Sequence, residues 1–564
     1  MKKLGNHLLL SMTSLRICTI KLEKYFSHLK SASQAPGKSN TWIFLLWLAL
    51  VIFLSYFHVV WRDEVRALSF ALQGESLVAM FEGLRGDAHP ALWNLFLRAV
   101  HGLIPFPVSL KISGLVIAAI AVSNFLSKSP FPLWVKLAVV FGSIVSFEFS
   151  VMARNYGISM LFMFLFATFY NTKKEQGYWL GAILFLLANT NAHSSILVAI
   201  ILCFWFIELV IQKHSVSNAI SKNFIFNTLI AVSGILVCFF TIYPTFNDAA
   251  VLASPSGNFG IRLVYSLLLP ADSFSKLMAT DNIVSILSGT TFTRETTKFI
   301  ICVIASIILF GSTLTLVRYP NAMFCALGAL VTLSVFFTFV YPGGYRHQAI
   351  WFIFLLIMNW ISLAERRKVE SFFYLPRTTR FLSKIGLVSF AAILLLQIPS
   401  TVREVFRALG YKSPQSQSEV LSKLIKSRPE LAKATFIAEP DYFVESIPYY
   451  LTNPSYLLRE ERFGNITHFT KNARLNITLD DILNSSMKIS AQTNQPVVIL
   501  LAHKIKLIKE DYKISESYNW TFSTNAEQVA KFRNSTDLIG NAIPTNSDET
   551  YDVYVFPKNQ KNIN

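Results

Sequence analysis

The sequence predicts a polytopic α-helical membrane protein with about eleven transmembrane helices and a soluble α/β domain at its C-terminal end. Two observations predict this fold class. Hydrophobic residues make up 53% of the 564 residues and charged residues only 15%, whereas a soluble domain is usually about a quarter charged. About eleven apolar windows of bilayer-spanning length lie before residue 402, and the chain after it contains none.

The predicted spans are windows of about 17–25 mainly apolar residues. The polar stretch LANTNAHSS separates the fifth span from the sixth. The first span follows a polar, basic segment and precedes no small-residue cleavage site, so we expect a retained helix rather than a signal peptide. The spans lie near residues 41–60, 108–126, 133–150, 153–170, 178–190, 193–211, 224–244, 298–317, 321–341, 347–363 and 385–401.

The basic residues predict the orientation of these spans. Lys and Arg gather in the N-terminal segment and in alternate short loops, which places that side in the cytoplasm and the C-terminal domain outside it. We therefore expect a cytoplasmic basic segment over residues 1–40 and a membrane domain over 41–402, with large external loops at 61–107 and 245–297. Residues 403–564 would form an extracytoplasmic α/β domain.

The charge distribution argues against a nucleic-acid partner. The net charge is +18, but residues 403–564 carry 20 Lys and Arg against 18 Asp and Glu, a balance of +2. Nearly all of the excess therefore lies in the N-terminal segment and in the short loops, where it sets topology, and no basic patch of the nucleic-acid-binding kind is predicted. The five cysteines show neither disulfide nor zinc spacing.

Two regions outside the spans have predictable secondary structure. In the first external loop, apolar residues repeat at helical spacing over 65–72, 77–84 and 92–99, which predicts short helices lying at the membrane surface. After residue 402, VVILLAHKIKLI and YDVYVFP predict strands and SEVLSKLIKS predicts a helix.

Unusual polar residues gather at the predicted outer face. Ionisable groups at membrane depth are costly, and they mark function by default. Taken singly, each also has a structural explanation, such as a solvated helix end or a snorkelling side chain. The residues concerned are Asp63, Glu64, Asp87, His89, Glu148, Arg154, Asn155, Tyr156, Asn189, Asn191, His193, Arg346 and His347.

Together these groups suit a reaction between a lipid-linked anionic substrate and a hydroxyl acceptor. A carboxylate can act as general base, while Arg and His can hold a phosphate and stabilise the charge that builds on it. The chain contains no GxxxxGK[ST] loop, so the sequence does not predict a pump driven by a nucleoside triphosphate.

Two stretches resemble the external loops of GT-C membrane glycosyltransferases that use polyprenyl-phosphate sugars. These families are protein O-mannosyltransferases, the lipid A aminoarabinose transferase and bacterial lipopolysaccharide-core sugar transferases. WRDEVRALSFALQ…GDAHPALWNLFL matches the first loop through Asp63-Glu64 and His89-Pro90, and ARNYG resembles the Arg-x-Tyr element of the second. The resemblance covers roughly residues 41–210, extends loosely to GGYRHQ and does not reach 403–564. DAHPAL stands where the family often has His-Pro-Pro, which leaves the loop geometry open.

The resemblance implies inverting transfer of a sugar from a polyprenyl-phosphate donor to a hydroxyl acceptor of an envelope glycan, lipid or protein. Asp63 would be the general base, and Glu64 would orient a neighbour or the sugar. The donor phosphate would be held by Arg154, Tyr156, Arg346 and His347, and the acceptor or another part of the substrate would be bound by Asp87, His89 and His193.

The resemblance leaves three further points as expectations. Some relatives use a divalent metal and others do not, so metal dependence stays open, with Glu64 and His89 as candidate ligands. The partners would be the lipid bilayer, the donor and an acceptor of unknown identity. The bacterial inner membrane is the expected location.

Two other functions stay open. A transporter or flippase for a lipid-linked glycan would suit the many spans, but it predicts matching broken spans in two halves. No such repeat is visible, and the charges gather at one face rather than at the midplane. A non-catalytic relative whose external domain is a binding module is also compatible with the sequence.

Overall fold

The computed structural model describes residues 36–104, 107–211, 218–250, 258–288, 293–365, 376–508, 510–515 and 517–557. Most of the predicted cytoplasmic segment therefore lies outside the described residues, as do parts of the predicted loop at 245–297.

Helices dominate the described chain up to residue 408. In chain order they are α1 (Pro36–Phe57), α2 (Arg62–Ala71), α3 (Leu77–Leu84), α4 (Leu92–Leu103), α5 (Val108–Lys128), α6 (Leu133–Val140), α7 (Tyr156–Lys173), α8 (Trp179–Ala188), α9 (Ala192–Ile211), α10 (Asn218–Ile242), α11 (Phe259–Leu268), α12 (Pro270–Ser273), α13 (Thr280–Leu287), α14 (Arg294–Thr313), α15 (Pro320–Phe339), α16 (Tyr345–Ala364), α17 (Pro376–Leu396) and α18 (Ile398–Ala408).

Within the described ranges, eight helical segments are long and apolar enough to cross a bilayer. The predicted polytopic helical architecture is therefore confirmed. The remaining three predicted spans fall on α6, which gives way to a π-helical turn at Ile144–Glu148, on α7 and on the ten-residue α8. The eight segments are Ser39–Phe57, Val108–Lys128, Ala192–Ile211, Ile220–Ile242, Arg294–Leu316, Pro320–Phe339, Tyr345–Ala364 and Arg377–Ala408.

The central element of the membrane part is α16. Every residue from His347 to Ser362 is buried, as expected for a helix that is apolar on all sides. The helix starts directly after Gly343 and Gly344, and Gly343 adopts a positive φ of 65° that favours glycine. This turn places Arg346 and His347 in the first turn of the most enclosed helix.

The predicted short helices of the first loop are confirmed as α2, α3 and α4. The apolar side of α2 is buried, with Val65 and Leu68 each 1% exposed. The helix is covered by residues of the C-terminal domain as well as by α4, so it lies between two parts of the protein instead of against lipid alone.

The C-terminal domain, residues 418–556, is an α/β structure as predicted. Its main sheet has the order β1 (Thr435–Glu439), β5 (Val497–Ala502), β9 (Tyr551–Phe556) and β8 (Asp537–Gly540), with β1 parallel to β5 and β9 antiparallel to both of its neighbours. Strands β1 and β5 are buried along their whole length, which fits a sheet covered on both faces. A second sheet has the order β4 (Asn476–Thr478), β7 (Thr521–Thr524) and β6 (Tyr512–Ser515), and β2 (Tyr456–Leu457) pairs with β3 (Arg462–Phe463).

The elements of this domain follow in chain order. They are α19 (Ser418–Lys426), β1 (Thr435–Glu439), α20 (Ile447–Tyr450), β2 (Tyr456–Leu457), β3 (Arg462–Phe463), β4 (Asn476–Thr478), α21 (Leu479–Thr493), β5 (Val497–Ala502), β6 (Tyr512–Ser515), β7 (Thr521–Thr524), α22 (Ala526–Ser535), β8 (Asp537–Gly540) and β9 (Tyr551–Phe556).

One glycine controls the turn between the π-helical turn and α7. A Cβ atom on Gly157 would lie 2.6 Å from the carbonyl oxygen of Phe149, which is backbone and cannot rotate away. The residues between these two positions include Arg154, so the close approach helps to set where that arginine lies.

We expect Gly157→Ala to push the turn outward and to lower the free energy of unfolding by about 1–3 kcal/mol through overpacking. Gly328→Ala is the matched control, because a Cβ atom there meets nothing within 4 Å. Thermal unfolding of the detergent-purified protein measures both changes. Equal melting temperatures for the two variants would contradict the prediction.

Candidate functional site

Asp63 is the meeting point of two arginines. Its Oδ2 atom lies 3.4 Å from Nη2 of Arg346 and 3.9 Å from Nη2 of Arg154. Arg154 also donates to the main-chain carbonyl of Asp63. The Asp63 side chain is 30% exposed, so the carboxylate is accessible while its partners are almost buried. One carboxylate thus joins the first turn of α2, the turn before α7 and the first turn of α16.

The arginines keep Asp63 ionised. Burial opposes the charged form, but Arg154, Arg62 and Arg346 outweigh it and lower the pKa of Asp63 to about 2. A carboxylate with such a pKa is a weak base as long as its cationic neighbours remain unpaired with another anion.

Glu64 has a different environment from its neighbour. Its carboxylate is buried and accepts hydrogen bonds from the main-chain N–H groups of Ala153 at 2.8 Å and Trp61 at 3.3 Å. It also lies 2.8 Å from Nε2 of His58. Burial disfavours its ionised form, yet His58 and these N–H groups lower the pKa of Glu64. The side chain therefore connects the end of α1, the start of α2 and the residue before Arg154.

Arg346 combines a charged contact with unsatisfied polar atoms. Its guanidinium lies 5.1 Å from the Trp61 ring centroid, and Nη1 lies 3.3 Å from Sδ of Met152. Within the described part of the chain, Nε of Arg346 and Nε1 of Trp61 are buried without a hydrogen-bond partner. Buried polar groups in native proteins are nearly always hydrogen-bonded to protein, water or a ligand, so these two donors can each receive an acceptor from outside the described chain.

A buried ion-pair network lies behind α2. Arg66 pairs with Asp87 at 2.6 Å and with Glu445 of the C-terminal domain, and it donates to the Thr467 carbonyl at 2.9 Å. Asp87 in turn lies 3.2 Å from Nδ1 of His89. The network therefore holds the His89 turn and the C-terminal domain against the same helix.

Further contacts fasten the C-terminal domain at the start of α2. Asp548 receives two hydrogen bonds from the Arg62 guanidinium, at 2.6 and 2.9 Å, and the buried Glu549 accepts from the Arg62 main-chain N–H at 2.9 Å. Tyr450 donates to the Val60 carbonyl at 2.7 Å. Burial raises the pKa of Glu549 to about 7. The residues that flank Asp63 are thus held from the domain side.

Three more candidate residues form a group at neighbouring helix starts. Tyr156, His193 and His347 belong to the first turns of α7, α9 and α16. The His347 ring centroid lies 5.1 Å from that of Tyr156 and 5.4 Å from that of His193. His347 accepts the Gly344 N–H at 2.8 Å through Nδ1. Both ring nitrogens of His193 are buried without a partner among the described residues.

The remaining candidates line a pocket beside this site. The pocket contains about 340 Å³ of empty space, its open mouth included, and is bounded by α2, α4 and the turn before α7. Asp87, His89 and Arg154 line it, so they are brought together, whereas Glu64 is not among its lining residues.

The structure places no metal-binding cluster around the two candidate ligands, Glu64 and His89, among the described residues. Within the described ranges, no group of three or more His, Cys, Asp or Glu is arranged to hold a metal ion. Of the two candidate ligands, Glu64 is taken up by His58 and two N–H groups, and His89 contacts Asp87.

Four residues of these contacts were not predicted from the sequence, namely Arg66, Glu445, Asp548 and Glu549. The one available signal was Arg66, a charged residue on the same face of a predicted helix as apolar residues. The three carboxylates lie more than 370 residues further along the chain than their partners, Arg62 and Arg66. Local sequence patterns do not predict contacts over such distances.

No protein-family model matches the sequence, and the search of curated proteins gives no match. Among solved structures, the protein is similar to the crystal structure of ArnT from Cupriavidus metallidurans in the apo state. The alignment covers 92% of this chain and 98% of that chain, with 10% sequence identity and a TM-score of 0.43. So remote a likeness assigns neither an activity nor a residue.

We expect Glu445→Gln to weaken the attachment of the C-terminal domain to α2, because Arg66 loses one of two buried carboxylate partners. The expected loss in unfolding free energy is about 1–3 kcal/mol. Glu419→Gln is the matched control, since its pair with Lys423 is exposed and contributes less than about 1 kcal/mol. Thermal unfolding of the full-length protein tests this, and equal melting temperatures for both variants would refute it.

Proposed function

We propose that the protein is a glycosyltransferase that moves a sugar from a polyprenyl-phosphate donor to a hydroxyl acceptor. The observation that carries the proposal is the convergence of Arg154 and Arg346 on the partly exposed carboxylate of Asp63. Two guanidinium groups at the ends of membrane helices suit a lipid-linked phosphate, and the carboxylate between them suits a general base.

In the proposed reaction, Asp63 takes the proton of the acceptor hydroxyl. The acceptor oxygen then attacks the anomeric carbon, and a new carbon–oxygen bond forms as the bond to the phosphate oxygen breaks. The electron pair of that bond leaves with the polyprenyl phosphate, whose charge Arg154 and Arg346 stabilise. A single displacement of this kind inverts the anomeric configuration.

Donor binding would also activate the base. An anionic phosphate beside Arg154 and Arg346 cancels part of the positive field that lowers the pKa of Asp63. The pKa of the carboxyl then rises towards its ordinary value, and the carboxylate becomes a better proton acceptor. The base is therefore strongest once the donor is in place.

The roles of the two acidic residues differ in this proposal. Glu64 is a positioning residue, because its buried carboxylate holds the backbone next to Arg154 and has no free side towards a substrate. Tyr156, His193 and His347 form the proposed membrane-side wall, and His193 offers its unpaired nitrogens to a substrate.

The proposed location is a bacterial inner membrane, with the reaction on its outer face. The charge of the loops supports this orientation, since Lys and Arg concentrate on the side opposite the C-terminal domain in the eleven-span arrangement. The acceptor would then be an envelope glycan, a lipid or a protein.

Asp63→Asn should abolish sugar transfer while the protein still folds. Removal of the carboxylate also frees both arginines, so binding of bare polyprenyl phosphate should stay equal or become tighter. Transfer is measured by mass spectrometry of envelope glycans and glycoproteins from complemented deletion strains. Full transfer by Asp63→Asn would refute the base assignment. If Asp63→Asn left the phenotype unchanged while deletion of 403–564 removed it, a non-catalytic binding protein would be favoured.

Arg346→Gln should weaken binding of polyprenyl phosphate about tenfold or more, because a charge-assisted hydrogen bond contributes roughly 1.5–3 kcal/mol. The matched control is Arg262→Gln. Arg262 lies in the apolar helix α11, and its guanidinium contacts the Thr338 carbonyl and the Phe339 ring instead of Asp63. The affinity of each variant for polyprenyl phosphate is measured with the protein in lipid nanodiscs. Equal affinities of Arg346→Gln and Arg262→Gln would remove Arg346 from the proposed phosphate site.

A further inference from the structure

The pocket beside Asp63 contains a buried donor that the protein leaves unused. Trp93, the second residue of α4, is 3% exposed and lines the pocket. Its ring packs on Phe96 at a centroid distance of 5.9 Å, but in the part of the chain that the structure describes its indole N–H has no hydrogen-bond partner. An unpaired buried N–H is costly, so it indicates a ligand acceptor in the pocket.

Asn155 supplies an unused acceptor to the same pocket. Its Nδ2 atom donates to the Thr190 carbonyl at 2.6 Å, and since that partner can only accept, the amide orientation is fixed. The Oδ1 atom is then the one without a partner among the described residues, and the side chain is 3% exposed.

His89 adds a third polar group. Its Nδ1 atom lies 3.2 Å from both the main-chain carbonyl and the carboxylate of Asp87, so Nδ1 carries the proton. In the neutral ring, Nε2 is then an acceptor. The side chain lines the pocket and is 38% exposed.

The charged residues that line the pocket are already paired. Arg66 pairs with Asp87 and Glu445. Arg154 contacts Asp63 and, in the proposed function, is taken up by the donor phosphate. The groups left for a ligand are therefore neutral donors and acceptors set around aromatic rings. A cationic amino sugar would lack an unpaired carboxylate here, and an acidic sugar would lack an unpaired cation.

We propose that this pocket binds a neutral sugar ring, with Trp93, Asn155 and His89 as the residues that contact its hydroxyl groups. The pocket is a partly open cleft between α2, α4 and the turn before α7, and its empty space of about 340 Å³ includes the mouth. Arg154 lines the pocket and contacts Asp63, so a phosphate held there would place its own sugar at the pocket mouth. This position favours the donor sugar and rests on the proposed function.

Trp93→Phe tests the assignment, because it removes the N–H without breaking a hydrogen bond within the described protein. Trp47→Phe is the matched control. Trp47 is likewise buried with an unpaired N–H, but it lies in α1 and does not line the pocket. Both substitutions remove the same atoms. The difference between the two variants therefore reports the loss of the Trp93 N–H and not the general effect of a smaller ring.

The first measurement compares carriers in nanodiscs, namely polyprenyl phosphate alone and polyprenyl phosphate linked to mannose, glucose, galactose or aminoarabinose. We expect at least one neutral-sugar carrier to bind the wild type more tightly than the bare carrier. Trp93→Phe should weaken that binding about fivefold, as for one lost neutral hydrogen bond. The affinity for the bare carrier should not change, and aminoarabinose should add nothing.

The second measurement uses free methyl glycosides of the same three neutral hexoses and ligand-observed NMR. The signal should weaken in Trp93→Phe and persist in Trp47→Phe. If the neutral-sugar carrier displaces the glycoside, the pocket holds the donor sugar. If the glycoside remains bound beside the carrier, the pocket holds a sugar of the acceptor.

The pocket assignment is overturned if Trp93→Phe behaves like Trp47→Phe in both measurements, or if the aminoarabinose carrier binds as tightly as the neutral ones. Failure of the proposed function has a different signature. In that case bare polyprenyl phosphate does not bind the wild type, and the glycoside measurement still decides what the pocket accepts.

Discussion

The buried carboxylate of Glu64 is the interaction on which the rest of the site depends. It joins His58 at the end of α1, the Trp61 N–H at the start of α2 and the Ala153 N–H before α7. His58 and Trp61 are near neighbours of Glu64 in the chain, whereas Ala153 is 89 residues away from it. Because the Ala153 N–H is fixed, the next residue, Arg154, lies beside Asp63. The buried carboxylate of Glu64 thus helps to position the partly exposed carboxylate of Asp63 and its partner Arg154.

The C-terminal domain extends this arrangement from the other side. Arg62 and Arg66 flank the acidic pair, and each is held by carboxylates of that domain. Helix α2 is therefore clamped between the membrane helices and the α/β domain, and it keeps Asp63 at the boundary. In this account the domain is part of the catalytic architecture, and its removal would disturb the site without removing any proposed contact to the phosphate.

The sequence predicted the features that repeat along the chain and the residues that stand out from an apolar background. Apolar windows located the long helices, and Asp63, Arg154 and Arg346 were conspicuous because charge is rare near membrane spans. The distances between their side chains could not be predicted from the sequence, since Asp63 and Arg346 are 283 residues apart. Only the resemblance gave Asp63 and Glu64 different roles in the sequence, whereas the structure separates them by burial and by partners.

Other parts of the site leave little sign in the sequence. Asn155 stood out only as a polar residue near a predicted span, and Trp93 did not stand out as a site residue. What distinguishes both is a buried atom without a hydrogen-bond partner among the described residues, in a side chain that lines a pocket. The three predicted spans at 133–190 illustrate a related point. Window averages detect apolar composition, but the π-helical turn after α6 and the break before α9 divide this region into shorter pieces.

A cryo-electron microscopy structure of the full-length protein with polyprenyl phosphate in nanodiscs would test the proposed phosphate site directly. We expect phosphate density within hydrogen-bond distance of both Arg154 and Arg346, with the Asp63 carboxylate facing the side from which an acceptor approaches. Phosphate density away from both arginines, with Asp63 still paired to them, would rule out the proposed donor site.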